Sequence, residues 1–445
     1  MKFATAFFFF LLSSSITVSS SPILPPEAHP TKSGYLPVST TTNSSLFYAF
    51  YESKSTTAFN SQTPILVWLQ GGPGCSSMVG NFFELGPYLI HNTTTSTTTI
   101  PLKLTPNPYS WNTKFGLVFI DNPIGTGFSI ASSSDEIPTD QINVARHLWV
   151  GLQHFLDSEI GFRARPLYFA GESYAGKYIP AVGWYVLKMN EEVEEERRIG
   201  LKGVAIGNGL TDPVVQVKTH ADSAYYTGLI NAIQRKELKL SQERSVELAE
   251  AAKWPEATDA RNLLFKQLEN MTGLATLYDF RRKTEYETDR VEEVMQDELV
   301  KETFGINKNT TWYECSYLVG RKLHGDIMKS VKPMVEVLLE KSKVLLYQGQ
   351  FDLKENAVST EAWLNTLEWK DLNGYLVSNR SVWKVGEDVA GYVQKWKSLT
   401  TVVVSGAGHL VPADQGRNSQ AMIEGWIEET GFFTDDTKKR TLMVI

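Results

Sequence analysis

Pro166-Leu167-Tyr168-Phe169-Ala170-Gly171-Glu172-Ser173-Tyr174-Ala175-Gly176 is an apolar run that ends in small residues around a serine, and a helical pattern follows it. A strand that turns sharply into a helix needs small neighbours at the turn, because the backbone there is strained and tightly packed. The G-x-S-x-G spacing marks such an elbow, with the serine hydroxyl exposed at the strand's carboxyl end. Here the second small position is Ala175. Taken alone, Ser173 reads either as the serine of an elbow or as an ordinary turn or N-cap residue.

Outward from this segment, short apolar runs alternate with helical patterns. Strands are predicted at 46–51, 65–69, 117–120, 166–170, 204–206, 344–347 and 400–404, and helices at 144–155, 175–189 and 420–428. Several of the strand runs are continuously apolar and end in Gly-containing turns, which suits strands covered on both faces of a mostly parallel sheet. The alternation is an α/β pattern. It is interrupted at 212–333, where Glu, Lys, Arg and Gln dominate long helical stretches. The expected organisation is a leader at 1–21, a core at 22–211 and 334–445, and an inserted helical cap at 212–333. The acidic run 191–196 reads as a solvated helix end or loop.

Two further strand ends carry chemistry. His409 follows an apolar run and sits in Ser405-Gly406-Ala407-Gly408-His409-Leu410-Val411-Pro412, the only one of seven histidines in such a setting. The run 344–347 leads into Gln348-Gly349-Gln350-Phe351-Asp352. An acid there can accept the imidazole's second N–H, fix its tautomer and stabilise the imidazolium that forms during turnover. The order Ser173, Asp352, His409 is that of the α/β-hydrolases. Trp68-Leu69-Gln70-Gly71-Gly72-Pro73-Gly74-Cys75-Ser76-Ser77 follows the strand at 65–69. Its glycines suit a loop that offers backbone N–H groups to an oxyanion, the amide of Tyr174 being the second donor.

The 445 residues hold ample material for a large core. Ordinary Gly and Pro content and 42% hydrophobic residues exclude collagen, coiled coil and wholesale disorder. The formal charge of −7 and the lack of a long basic run argue against nucleic-acid partners. Lys2, the apolar stretch 4–12 and the small residues 13–21 read as a signal peptide. The apolar part is far shorter than the ~20 residues that span a bilayer, and no other segment approaches that length. A retained anchor is the alternative. A secretory route is therefore expected, ending outside the cell or in a vacuole, with no membrane partner. Asn43, Asn92, Asn270, Asn309 and Asn379 head N-x-S/T sequons. Cys75 and Cys315 are the only cysteines, and in an oxidising compartment they are expected to pair, free buried thiols being the other possibility. No Cys/His cluster has metal-ligand spacing, so neither metal nor cofactor is expected.

The chain resembles the serine carboxypeptidases, particularly the plant serine carboxypeptidase-like group. The resemblance runs through Ser33-Gly34-Tyr35, the 71–77 loop, Pro108-Tyr109-Ser110-Trp111-Asn112, residues 121–129, Gly171 to Tyr178, Gly207-Asn208-Gly209, residues 349–352 and residues 409–414. It covers nearly the whole chain after the leader, and the family accepts Ala where the general elbow has Gly. It implies an α/β-hydrolase with a cap over the site that removes one residue from a peptide's C-terminus, best in acid. It further implies Ser173 as nucleophile, Asp352 as orienter, His409 as base, and Gly72 and Tyr174 as oxyanion donors. The substrate's terminal carboxylate would meet Gln70, Glu84 and Glu172. Two departures stand out: Gln70 replaces the usual Asn, and Gly349-Gln350-Phe351-Asp352 retains only the second acid of the common Gly-Asp-x-Asp turn. Two other functions fit the same residues. An acyltransferase would pass the acyl group from a glucose ester to an alcohol, although such members often carry Asp where Glu172 stands. A non-catalytic binding or protective protein would keep the fold, but would usually have lost a member of the triad.

Overall fold

The computed structural model describes residues 23–55, 62–90 and 102–434; the leader at 1–21 and the sequon at Asn92 lie outside them. Among the described residues twelve strands form in chain order: β1 (Lys32–Pro37), β2 (Ser45–Tyr51), β3 (Ile65–Leu69), β4 (Tyr88–Ile90), β5 (Leu104–Pro106), β6 (Gly116–Ile120), β7 (Leu167–Glu172), β8 (Leu201–Gly207), β9 (Lys343–Gly349), β10 (Arg380–Val385), β11 (Asp388–Trp396) and β12 (Leu399–Val404). Ten of them build one sheet in the order β1-β2-β6-β3-β7-β8-β9-β12-β11-β10, and β4 and β5 pair separately. The six strands from β6 to β12 are parallel, whereas the strands added outside them at both ends run antiparallel.

The pleat explains why the inner strands read as unbroken apolar runs. Successive side chains point to opposite faces, and both faces are covered. In β3, Ile65, Val67 and Leu69 enter one core while Leu66 and Trp68 enter the other. β7 divides in the same way, Leu167 and Phe169 against Tyr168 and Ala170. The first core packs beneath α1 (Gln141–Asp157) and α2 (Ala175–Glu192), together with the helix Lys332–Lys341. The second lies beneath the helix Gly416–Glu428, whose Met422, Ile423 and Trp426 face the sheet.

Between β8 and β9 the chain leaves the sheet and runs through helices and turns. The helices Ala232–Glu250 and Trp254–Thr272 pack together around a third apolar core that includes Leu238, Leu264 and Leu268. The first starts with a capping box, Asn231 and Gln234 each satisfying a backbone N–H of the other. The second ends at Gly273 in the left-handed conformation. Residues 274–288 then return over the carboxyl ends of the parallel strands, and the bond Cys75–Cys315 fastens the later part of this excursion to the loop after β3. Asn43, Asn270, Asn309 and Asn379 are all exposed. No helix among the described residues is long and apolar enough to cross a membrane.

Candidate active site

Ser173 stands directly between β7 and α2 with φ 60, a left-handed conformation that is strained for a residue with a side chain. Backbone bonds on both sides hold it there: its N–H donates to Gly207 O at 3.0 Å, and its carbonyl accepts from Gly176 and Leu210. Ala175 fits at the elbow because Gly171 has no side chain; a Cβ on Gly171 would stand 2.8 Å from that of Ala175 and 2.4 Å from Leu69 O. Gly71 is required for a similar reason. A Cβ there would lie 2.7 Å from Ser173 Cβ and from Tyr174 N, so only glycine lets the loop after β3 reach the elbow.

His409 and Asp352 come from the turns after β12 and β9, neighbouring parallel strands. Their side chains meet in a 2.7 Å bond between His409 Nδ1 and Asp352 Oδ2, and both residues are buried. Asp352 also accepts from Asn208 Nδ2 at 2.7 Å, from the Lys354 N–H at 2.7 Å and from the Glu355 N–H at 3.2 Å. Every neighbour donates, so the carboxylate acts as an acceptor throughout. That assigns the ring proton to Nδ1 and leaves the Nε2 lone pair available. Nε2 is buried and has no hydrogen-bond partner, while Ser173 lines the same cavity. Tyr278, from the excursion between β8 and β9, stacks on the imidazole at 4.3 Å and 14°, and its carbonyl accepts the His409 N–H at 2.7 Å.

A second polar group lies beside the serine. Gln70 Nε2 donates to Glu172 Oε1 at 2.7 Å and to Glu84 Oε1 at 3.3 Å, while its own oxygen accepts from Trp68 Nε1. The extra methylene of Gln70 therefore does not keep it from either glutamate. Gln70 and Glu172 line the cavity, and Glu84 stands behind them. Burial pushes Glu84 up to about 8. Burial, followed by the charge of Glu84, pushes Glu172 well above the ordinary carboxylate range. Carboxyls raised in this way keep protons to higher pH than an ordinary glutamate does, so the pair can donate hydrogen bonds as well as accept them.

The cavity measures about 480 Å³ and is also lined by Gly71, Gly72, Cys75, Tyr278, Tyr286 and Cys315. The disulfide holds two chain segments in register, with Ser76 N donating to Glu314 O and Ser316 N to Gly74 O, each at 2.8 Å. The Tyr174 side chain points away, its hydroxyl donating to Asp326 Oδ2 at 2.7 Å. The same oxygen receives Gln141 Nε2 and forms a buried ion pair with Lys177, so the first turn of α2 is tied to the end of the excursion. Sequence reasoning did not assign a role to Asn208, Tyr278 or Asp326. Asn208 was within reach, because a polar residue in a glycine-marked turn just after a buried strand is the setting that also marks Asp352. Tyr278 and Asp326 carry no local signal of this kind.

A mostly parallel sheet with a strained serine at one strand end and an acid and histidine on two later ones defines an α/β-hydrolase. The comparisons narrow this. Residues 23–429 match the family model for serine carboxypeptidases. Serine carboxypeptidase-like 50 of Arabidopsis thaliana is 52% identical over 422 residues, covering 94% of this chain and 92% of the relative. A probable serine carboxypeptidase, CPVL, of Homo sapiens is 32% identical over 410 residues, covering 90% of this chain and 83% of the relative. Among solved structures, the prohormone-processing carboxypeptidase Kex1(delta)p of Saccharomyces cerevisiae superposes with a TM-score of 0.80 at 26% identity, covering 92% of this chain and 93% of that one. The chain belongs to the serine carboxypeptidase family and is a hydrolase.

Proposed function

We propose that the protein removes C-terminal residues from peptides in acid through an acyl-enzyme on Ser173. The observation that carries this reading is that the cavity holding Ser173 and the unpartnered His409 Nε2 also holds the Gln70–Glu172 pair. In this reading Ser173 Oγ attacks the last peptide carbonyl and its proton passes to His409 Nε2. The N–H groups of Gly72 and Tyr174 receive the oxyanion. Collapse breaks the C–N bond, and the imidazolium gives its proton to the departing amine. Water then repeats the sequence, the histidine again taking the proton, and releases the shortened peptide. Asp352 holds the tautomer and steadies the positive ring.

The terminal carboxylate is recognised by Gln70 and Glu172, with Glu84 behind them sharing protons with Glu172. A protonated carboxyl donates to the substrate's carboxylate, whereas an ionised one repels it. Binding of a free C-terminus is therefore strong below the raised titration of the pair and fades as pH rises through it, near 8 for Glu84. Residues 212–333 form the cap in this reading, and the leader, the exposed sequons and the disulfide support a secretory route.

Matched substrates test the mechanism: a blocked dipeptide with a free C-terminus and its C-terminal amide, each followed in kcat/KM against pH. The free acid should lose activity toward alkaline pH while the amide does not share that loss. Ser173→Ala should abolish turnover of both while leaving the protein folded. Profiles that fall together, unchanged by Glu172→Gln, would sink the proton-sharing clamp; full turnover by the alanine variant would sink the acyl-enzyme.

A further inference from the structure

Part of the excursion between β8 and β9 is bonded into the turns that carry the acid and the base. On the side of Asp352, Leu277 O accepts from Leu353 N–H at 2.9 Å, and Phe280 N–H donates to Phe351 O at 3.2 Å. On the side of His409, Tyr278 O accepts from the histidine's own N–H at 2.7 Å, and the Arg281 guanidinium donates to Gly406 O at 3.0 Å. The approach is close, since a Cβ on Gly408 would lie 2.4 Å from Tyr278 O. These bonds carry the Tyr278 ring to 4.3 Å from the imidazole and within 14° of parallel. The ammonium of Lys354, two residues after the acid, lies 4.8 Å from the centroid of the same ring.

Asp352 holds the imidazole at Nδ1, while Nε2 has no partner among the described residues. One hydrogen bond fixes one atom of the ring. The torsion that sets the ring plane stays soft, because a terminal sp3–sp2 torsion of histidine has a broad well. Rotation about it swings Nε2, and a displacement of about 1 Å can cost about a hundredfold in rate. A flat neighbour at stacking distance restricts that rotation. Tilting one way drives the imidazole edge into the tyrosine face, and tilting the other way gives up the contact.

We propose that Tyr278 is a positioning residue for the base: its ring fixes the plane of the His409 imidazole, so that Nε2 keeps one direction through both proton transfers. The inference rests on the acyl-enzyme reading. It adds that the excursion supplies part of the triad's frame and is more than a cover for the cavity.

Two variants separate the stacked face from the rest of the side chain. Tyr278→Phe keeps the flat ring and loses the hydroxyl, whereas Tyr278→Leu keeps an apolar side chain and loses the plane. Tyr278 is half-buried, so both variants should fold, with circular dichroism and the thermal midpoint as checks. Diisopropyl fluorophosphate reports on the base without a C-terminal carboxylate: the Ser173 Oγ–P bond forms as P–F breaks, and His409 takes the serine proton. Labelling of Tyr278→Leu should slow by about tenfold to a hundredfold, the cost of a misplaced catalytic group. Its kcat on a blocked dipeptide should fall in step, and Tyr278→Phe should react like the wild type. Labelling of Tyr278→Leu at the wild-type rate would overturn the inference and leave the acyl-enzyme reading standing. So would a rise confined to KM, which marks a wall that only touches substrate, or a Phe variant as slow as the Leu variant, which marks the hydroxyl. A wild-type protein whose Ser173 takes no label would overturn both readings.

Discussion

Asn208 shows how one side chain can hold two strand ends in place. Its Nδ2 donates to Asp352 Oδ2 and its Oδ1 accepts from Gly349 N–H at 3.1 Å, so the end of β8 grips the turn that carries the acid. The residue also has φ 40, a conformation that asparagine tolerates better than most side chains. Asn208→Ala removes a hydrogen bond to a charged acceptor and frees the Asp352 turn. We expect kcat to fall by about tenfold to a hundredfold, with KM little changed and the labelling rate of Ser173 by a fluorophosphonate falling in step. Unaltered labelling in the folded variant would refute this positioning role. Ser173, Asp352 and His409 were legible in sequence because each follows a buried apolar strand in a glycine-marked turn. Gln70 and Glu172 were legible only through resemblance, since nothing in their spacing distinguishes them from exposed polar residues.

The loop after β3 is the element through which three parts of the chain meet. Gly71 presses against the elbow, Gly72 lines the cavity, and Cys75 is bonded to Cys315 across a separation of 240 residues. Closing so long a loop stabilises the fold by roughly 5 kcal/mol in the chain-entropy model, an upper figure because unfolded chains keep some structure. The paired variant Cys75→Ala/Cys315→Ala should therefore unfold at distinctly lower denaturant, with less activity per folded molecule because the loop is no longer tied down. Equal denaturation midpoints would contradict the expectation, as would two alkylatable thiols in the unreduced wild type. The same contrast between tied and free elements explains what sequence reading found. The inner strands β3, β6, β7, β8, β9 and β12 were each found to within a few residues, because burial on both faces writes an unbroken apolar run. β1, β10 and β11 were missed: they lie toward the sheet's edges, and β10 has only Trp383 buried. The β4–β5 pair is too short to show any period.

Over the whole molecule, buried carboxyls set the response to pH. Burial pushes Asp121 up to about 6, Glu355 up to about 7 and Glu84 up to about 8, and raises Glu172 well above its ordinary value. A group with a folded pKa above its unfolded one contributes its full stability below the unfolded value and loses it as pH rises through the folded value. These four thus weaken the fold progressively as pH rises above the ordinary carboxylate range, Glu84 doing so up to about 8. Burial acts oppositely on His147 and His220, lowered to about 4 and about 3, whose contribution is lost as pH falls below their ordinary value of 6.5. Four groups oppose two, so the thermal midpoint should be higher near pH 5 than near pH 8, by roughly a few degrees for a chain of this size. A midpoint that rises steadily between those values would count against the assignment. The excursion between β8 and β9 also separates the site in time. Ribosomes deliver the elbow, the loop after β3 and Glu172 long before β12, yet β12 must slot beside β9 before His409 can meet Asp352. On the proposed mechanism, a half-made chain therefore carries Ser173 without its base, and the nascent protein should pass through its own synthesis unable to cut the peptides around it.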